Sequence, residues 1–418
     1  MVEIVEQLVR SAGRLADSGL WHEAERLWSE VRRLRPDHPR ALFALGAHAL
    51  KRGDIADACA LLRAARAAAP QDLIVLITLS AACRESGDWA GEQEAIEAAL
   101  VQDAYFLPAL LAKARRIERQ GDALSAALAY RNALRVAPAE PHWLPALRPQ
   151  LELARSVVER HAEKFNAHLQ GRLGELLAQL PASLAERWRE AASIMAGRSR
   201  PFAAECNQLH VPRLPAMPFH ERSCFPWLAA LEARTDVIRA ELELLLHTQR
   251  DQFTPYIAYR PGEPVNQWQE LNHSDRWSAL HLWRGGARIE QNLIRCPRTA
   301  QLLAAVEMAQ IGGLCPNVMF SVLAPRTRIP PHHGETNARL VAHLPLIVPE
   351  RCELRVGFET RHWNVGEAIV FDDTIEHEAR NDSDELRVVL IFDVWNPLLT
   401  PAERTLVQAM TAAAREFA

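Results

Sequence analysis

Histidine is the residue type that concentrates where chemistry could take place. The chain has 16 histidines, and five of them, His332, His333, His343, His362 and His377, fall within 46 residues. A single histidine in a strand is more often structural than a ligand. Several histidines on neighbouring strands, however, can hold a metal ion through neutral imidazole nitrogens. This region is therefore the first candidate for a metal site.

The segment around His343 indicates a strand with two different faces. In RLVAHLPL, a period of two places Arg339, Val341 and His343 on one face and leucines and alanine on the other. Inside a double sheet, a face with a guanidinium and an imidazole lines a cavity, and these groups suit a carboxylate ligand. We expect this strand to contribute to a binding site.

Two further positions complete a recognisable order. His377 lies 45 residues after His332, and Arg387 begins another strand ten residues later. Jelly-roll iron oxygenases that bind 2-oxoglutarate use this order, with two imidazoles on Fe(II) and an arginine on the far carboxylate of the cosubstrate. Asp372 and Asp373 are expected to orient His377, although one of them could supply a carboxylate near iron.

The elements that must position these residues are short strands. Alternating segments at 339–346, 352–358, 368–371 and 387–394 are separated by turn residues and follow a helical, Pro-rich and Trp-rich stretch. Several short strands after helices favour a jelly-roll double sheet. We assign it to residues 206–418.

The N-terminal third has an internal repeat. Glycines recur every 34 residues at Gly19, Gly53, Gly87 and Gly121, and Pro36, Pro70 and Pro138 keep the same period. The segment 1–140 resembles the tetratricopeptide repeat, an α-solenoid of helix pairs, and this resemblance implies that it binds a protein or peptide partner. Residues 141–205 lose the period and are expected to form a helical connector. The fold class is multidomain α + β.

The C-terminal region also resembles a known family. Residues from about 212 to 402, including PVNQWQELNHSDRWSALHLW, RIPPHHGETNARLVAHLPL and FDDTIEHEARNDSDELRVVLIFDVWNP, resemble the aspartyl/asparaginyl β-hydroxylases. The resemblance implies a 2-oxoglutarate-dependent dioxygenase with Fe(II), 2-oxoglutarate and O2, and it assigns roles to individual side chains. These are His332 and His377 for iron, Ser321 and Arg387 for the 2-oxoglutarate tail, His343 for its 1-carboxylate, Arg339 for a substrate carboxylate, and Trp283 for the pocket wall.

Two positions depart from related patterns. Gly334 stands two residues after His332, where the common facial triad has Asp or Glu. The hydroxylase family shares this arrangement, but non-haem iron halogenases also lack the carboxylate, so residue types alone leave halogenation open. Val341 stands where membrane-anchored animal members of the family carry a second arginine. The binding of the 2-oxoglutarate 1-carboxylate, or of the substrate, is therefore in question.

Composition narrows the functional classes. The formal net charge of −4 offers no basic field for nucleic acid, no apolar run is long enough to cross a membrane, and the seven scattered cysteines fit a reducing cytoplasm.

We expect hydroxylation of an unactivated carbon, foremost the β-carbon of Asp or Asn in a protein recruited by the repeats. The alternatives are the same chemistry on a small molecule or lipid acyl chain, and a scaffold that has lost catalysis. The oligomeric state stays open.

Overall fold

The computed structural model describes residues 2–417, and within them the chain begins with four helical hairpins. Consecutive helices pair with each other and then pack on the next pair. The helices are α1 Val2–Asp17, α2 Trp21–Leu34, α3 Pro39–Arg52, α4 Ile55–Ala68, α5 Leu73–Ser86, α6 Trp89–Gln102, α7 Leu107–Arg119 and α8 Ala123–Val136.

The 34-residue period has a direct physical basis. Each hairpin turns at one of the recurring glycines, whose φ angles lie between 76° and 84°, a region that residues with a Cβ rarely adopt. Ala58 and Ala126 are fully buried where the second helix approaches the first, so the small side chain sets a close contact. The side chains of Asp88 and Asp122 cap α6 and α8. The predicted α-solenoid is confirmed.

The segment after the repeats is helical and caps the last hairpin. Helix α9, Arg148–Leu177, buries Leu151 and Ala154 in one apolar cluster with Tyr130 of α8, because the last hairpin of a solenoid needs a cap for its apolar face.

The structure forms two compact units. One runs to Pro181 and includes Ala191–Arg198, and the other comprises Ala182–Glu190 and the residues from Ser199 onward, so that α10, Ala182–Ala196, contributes to both.

Two antiparallel sheets dominate the second unit of the described chain. The larger has the strand order β1-β2-β4-β11-β6-β9 with β3 paired to β2, and the smaller has the order β5-β10-β7-β8. The strands are β1 Thr254–Pro255, β2 Trp277–Arg284, β3 Ala287–Arg288, β4 Val318–Leu323, β5 Thr327–His332, β6 Arg339–Ile347, β7 Cys352–Val356, β8 Glu359–His362, β9 Ile369–Phe371, β10 His377–Asn381 and β11 Arg387–Trp395.

The larger sheet separates two cores. On its outer face, Leu340, Ala342 and Leu344 of β6 pack with helices of this unit, foremost α12. On its inner face, Val341 and Val389 meet apolar side chains of the smaller sheet. The α-helices that lie wholly in this unit are α11 Leu228–Glu232, α12 Thr235–Thr248, α13 Glu290–Leu293, α14 Pro297–Leu303 and α15 Pro401–Phe417. The predicted division of the β6 faces is therefore confirmed.

Bilayer-spanning helices were also considered. Across residues 2–417, none of the helices combines the length and the apolar character that crossing a bilayer requires.

Candidate active site

His332 and His377 face each other on neighbouring strands of the smaller sheet. His332 is the last residue of β5 and His377 the first of β10, and the antiparallel register pairs them directly. Their ring centroids lie 4.0 Å apart. Two residues that are 45 positions apart in the chain are thus held at a spacing that a single small ion can bridge.

The second ring nitrogen of each histidine is also placed. The Nδ1 atom of His332 lies 2.8 Å from the carbonyl oxygen of Pro330, and that of His377 lies 3.1 Å from the carbonyl oxygen of Ile375. A carbonyl can only accept, so each Nδ1 carries the hydrogen and each Nε2 keeps its lone pair. Burial lowers the pKa of both imidazoles, which favours the neutral form that binds metal ions.

The space beside Gly334, two residues after His332, is filled by Asp373 from the turn that precedes His377. A Cβ on Gly334 would collide with the carboxylate of Asp373, and the Gly334 amide donates to the Asp373 carbonyl oxygen at 2.7 Å. The Asp373 carboxylate is in turn paired with Arg339. Across residues 2–417, no group of three or more His, Cys, Asp or Glu side chains is arranged to hold a metal ion. The position beside the histidine pair is thus occupied by a carboxylate that is already paired with an arginine.

Arg387 is a buried cation on the opposite sheet. It begins β11, its exposed fraction is 1%, and among the described residues its Nε and Nη1 atoms have no hydrogen-bond partner. Its guanidinium lies 4.9 Å from the ring centre of Trp363. Burial lowers its pKa to about 10, so it still carries its charge at neutral pH. A buried charge without a counterion is costly, so this guanidinium would be stabilised by an anion beside it.

The other predicted cosubstrate residues lie on the same inner face. Ser321 on β4 is opposite Val389, two residues along β11 from Arg387, and its Oγ accepts a hydrogen bond from Trp277 Nε1 at 3.2 Å. His343 is buried, its Nδ1 has no partner among the described residues, and burial lowers its pKa to about 3. A hydroxyl, a neutral imidazole and an unpaired guanidinium together fit a bound carboxylate.

Aromatic rings connect the two halves of the site. The Phe371 ring centroid lies 4.9 Å from that of His343 and 5.6 Å from that of His377. Trp268 lies 5.1 Å and Trp277 6.4 Å from His332, measured between ring centroids. The predicted iron and cosubstrate residues of the two sheets therefore border one aromatic-walled interior.

Trp283 is not part of this group. It packs in the outer core, with the guanidinium of Arg288 5.1 Å from its ring centre. The physical reason is an irregularity in the pairing of β2 with β4 between His281 and Trp283, which moves the following side chains to the other face. Trp277, at the start of the same strand, takes the place at the site that was expected for Trp283.

Arg339 is brought to the site but is already neutralised. It is 4% exposed and pairs with the Asp373 carboxylate, while Asp393 lies 3.4 Å and Glu335 3.7 Å away. These carboxylates raise the pKa of Arg339 well above its ordinary value although burial opposes them. In this structure the Arg339 guanidinium is neutralised by carboxylates of the protein itself, in contrast to the expected contact with a substrate carboxylate.

Several residues of the site were not assigned from the sequence. Trp268 and Trp277 lie within a segment that resembles the hydroxylases. Ala279 of β2 pairs with Ser321, and the period of two places Trp277 on the same face as Ala279, so alternation along β2 could have identified Trp277 as a site residue. Trp363 beside Arg387 had no signal, because a single tryptophan in a turn shows no pattern.

Comparison with known proteins identifies a family. A family model described as aspartyl/asparaginyl beta-hydroxylase matches residues 232–397. An ornithine lipid ester-linked acyl 2-hydroxylase of Rhizobium tropici is 37% identical over 202 residues, 48% of this chain and 68% of that protein. The aspartyl/asparaginyl beta-hydroxylase of Mus musculus is 32% identical over 186 residues, 44% of this chain. This chain spans only a quarter, 25%, of the mouse protein's length.

Solved tetratricopeptide repeat proteins are similar to part of this chain. A tetratricopeptide repeat protein of Thermus thermophilus is 21% identical and matches 46% of this chain and 99% of its own, with a TM-score of 0.32. A tetratricopeptide repeat protein of Parabacteroides merdae is 14% identical and matches 46% of this chain, with a TM-score of 0.33. On the evidence of the family match and the Rhizobium relative, the chain belongs to the aspartyl/asparaginyl β-hydroxylase family.

Proposed function

We propose that this chain is an Fe(II)- and 2-oxoglutarate-dependent dioxygenase that hydroxylates an unactivated carbon. The observation that carries the proposal is the buried guanidinium of Arg387, whose Nε and Nη1 have no partner among the described residues. It contacts Trp363, which belongs to the same inner core as Phe371, the ring beside His377. A dicarboxylate cosubstrate would neutralise the guanidinium at one end and present its other end to a metal ion held by the two free Nε2 atoms. Membership in a family of hydroxylases supports this reading.

Each side chain has a defined task in this proposal. Arg387 and the Ser321 hydroxyl would bind the far carboxylate, while His332 and His377 would hold Fe(II) through Nε2. The rings of Trp277 and Phe371 exclude water from the space between the two groups. Bound together, Fe(II), 2-oxoglutarate and O2 supply the oxidising chemistry, with succinate and CO2 as coproducts.

Succinate formation tests this function. Purified protein given Fe(II), ascorbate and 2-oxoglutarate should release succinate, and His332→Ala and His377→Ala variants should not. His362→Ala is the matched control, since His362 is largely exposed on β8 and should leave the yield unchanged. Turnover that persists at the wild-type rate in either ligand variant would refute the assignment of the metal site.

The surroundings of Arg339 favour a substrate without a carboxylate at the reacting carbon. The Arg339 charge is met by Asp373, Asp393 and Glu335, and Val341 adds an apolar wall in place of a second cation. A further carboxylate would have to displace these acids. A lipid acyl chain, the substrate in the name of the Rhizobium relative, needs no such contact. We therefore propose an acyl chain as the first substrate candidate.

The β-carbon of Asp or Asn in a recruited protein is the second candidate. It is supported by the family description and by the name of the mouse relative, and it would give the repeat array the task of binding the substrate protein. A direct comparison separates the two candidates. Succinate release should be stimulated by an acylated amino-acid lipid in detergent micelles and much less by peptides that contain Asp or Asn, whereas the reverse order would favour the protein substrate. A protein that binds no divalent metal would instead be a scaffold.

A further inference from the structure

A short segment ahead of the family match lies along the histidine-bearing turns. We call residues 205–211 the strap. It precedes the matched region, which begins at residue 232. Leu209 forms a parallel bridge with Thr336, and the Val211 amide donates to Asn337 Oδ1 at 2.8 Å. The strap thus follows the chain that leads from the first histidine into β6.

The N-terminal half of the strap contacts both turns at once. The backbone amide of Glu205 donates to the Thr374 carbonyl oxygen at 2.8 Å. The backbone amide of Asn207 donates to the Gly334 carbonyl oxygen at 3.1 Å, and its side-chain Nδ2 donates to the His333 carbonyl oxygen at 2.9 Å. One segment therefore links the turn that follows one histidine to the turn that precedes the other.

These turns lie where the sheet pairing stops. His332 ends β5 and His377 begins β10, so the ladder between these strands does not extend to Gly334 or Thr374. The Gly334 amide donates to the Asp373 carbonyl oxygen at 2.7 Å, and the strap supplies the next bonds outward. Metal affinity depends on ligand placement to within a few tenths of an ångström, so the bonds behind the ligands matter.

We propose that Asn207 is a positioning residue, which holds the turns beside His332 and His377 so that both imidazoles point at one metal ion. This inference rests on the proposed function. The side chain of Asn207 is exposed on the strap and touches no reacting atom, and it acts through the His333 carbonyl group. The adjacent Gln208 lacks this role, because only its backbone amide bonds to the chain, at the Glu335 carbonyl oxygen.

The test compares Asn207→Ala and Asn207→Asp with Gln208→Ala in the full chain. Asn207→Asp keeps the size of the side chain but removes the donor, and Gln208→Ala is the matched control. Amide hydrogen exchange at Gly334 in metal-free protein should become about five-fold faster in both Asn207 variants, the factor for one lost hydrogen bond. Mn(II) titration in the presence of 2-oxoglutarate should show a dissociation constant raised by a similar factor. Gln208→Ala should match the wild type in both measurements.

The two readouts separate the possible outcomes. Unchanged exchange at Gly334 in the Asn207 variants would overturn the inference. Faster exchange with wild-type Mn(II) affinity would overturn it too, because the strap would then hold the turn without positioning the ligands. Wild-type protein that binds no Mn(II) would refute the proposed function and with it the ligand-positioning role, whereas Mn(II) binding by the wild type with unchanged Asn207 variants would overturn the inference alone.

Discussion

Replacing Arg387 by methionine should remove cosubstrate binding and yet leave the metal-free protein as stable as before or more so. Burial lowers the pKa of this guanidinium from 12.5 to about 10, which corresponds to about 3 kcal/mol of unfavourable charge burial. Methionine has a similar length and carries no charge. The lost contact with the Trp363 ring offsets up to ~2 kcal/mol of this gain. A net gain of about 1 kcal/mol or more in unfolding free energy is expected.

Urea denaturation followed by tryptophan fluorescence measures this effect. In the presence of Mn(II), 2-oxoglutarate at 100 times its dissociation constant should add about 2.7 kcal/mol to the wild type and nothing to Arg387→Met. Arg387→Lys keeps a charge but not the forked geometry, so it should bind 2-oxoglutarate weakly without gaining stability. Arg298→Met replaces an exposed arginine and serves as the control for the loss of one positive charge.

The opposite result would refute the reasoning. If Arg387→Met lost 3 to 5 kcal/mol, as broken buried ion pairs do, the guanidinium would have an anionic partner within the protein. If the variant kept its stabilisation by 2-oxoglutarate, the carboxylate would bind elsewhere. Either finding would remove the observation on which the proposed function depends.

Three further predictions concern the same interior. Gly334→Ala should lose about 1 to 3 kcal/mol of stability in denaturation experiments, because its Cβ meets the Asp373 carboxylate, and this loss should be smaller when it is measured in an Asp373→Ala background. Asp372→Asn should be stabilising at pH 8. Burial raises the pKa of Asp372 to about 6, so the stability that the neutral carboxyl contributes is fully present below about pH 4 and is lost as the pH rises through 6. The difference in stability from the wild type should therefore vanish at pH 4. Arg339→Met should cost about 3 to 5 kcal/mol by leaving the buried Asp373 unpaired, and a smaller loss would contradict the pairing.

The sequence predicted the parts of this protein that repeat or alternate. The 34-residue glycine period identified the helical hairpins, since a turn in the left-handed region recurs in each of them. The period of two in β6 separated Arg339 and His343 from the outer leucines, as the structure confirms. Regular patterns of this kind report backbone geometry directly.

Features that depend on long-range contacts were beyond the sequence. No local pattern shows that Asp373 would neutralise Arg339 and occupy the space beside Gly334. The irregularity in β2 defeated the expectation for Trp283, because pairing with β4 decides where the alternation breaks. The strap was also missed, since its bonds join residues more than a hundred positions apart.

The pairing irregularity in β2 places two tryptophans of one strand on opposite faces of the larger sheet. Trp277 lies 6.4 Å from His332 between ring centroids, whereas Trp283 belongs to the outer core under Arg288. A paramagnetic ion between the two histidines would quench the emission of the first indole far more than that of the second. One strand thus contains both an optical probe of the proposed metal site and its internal reference.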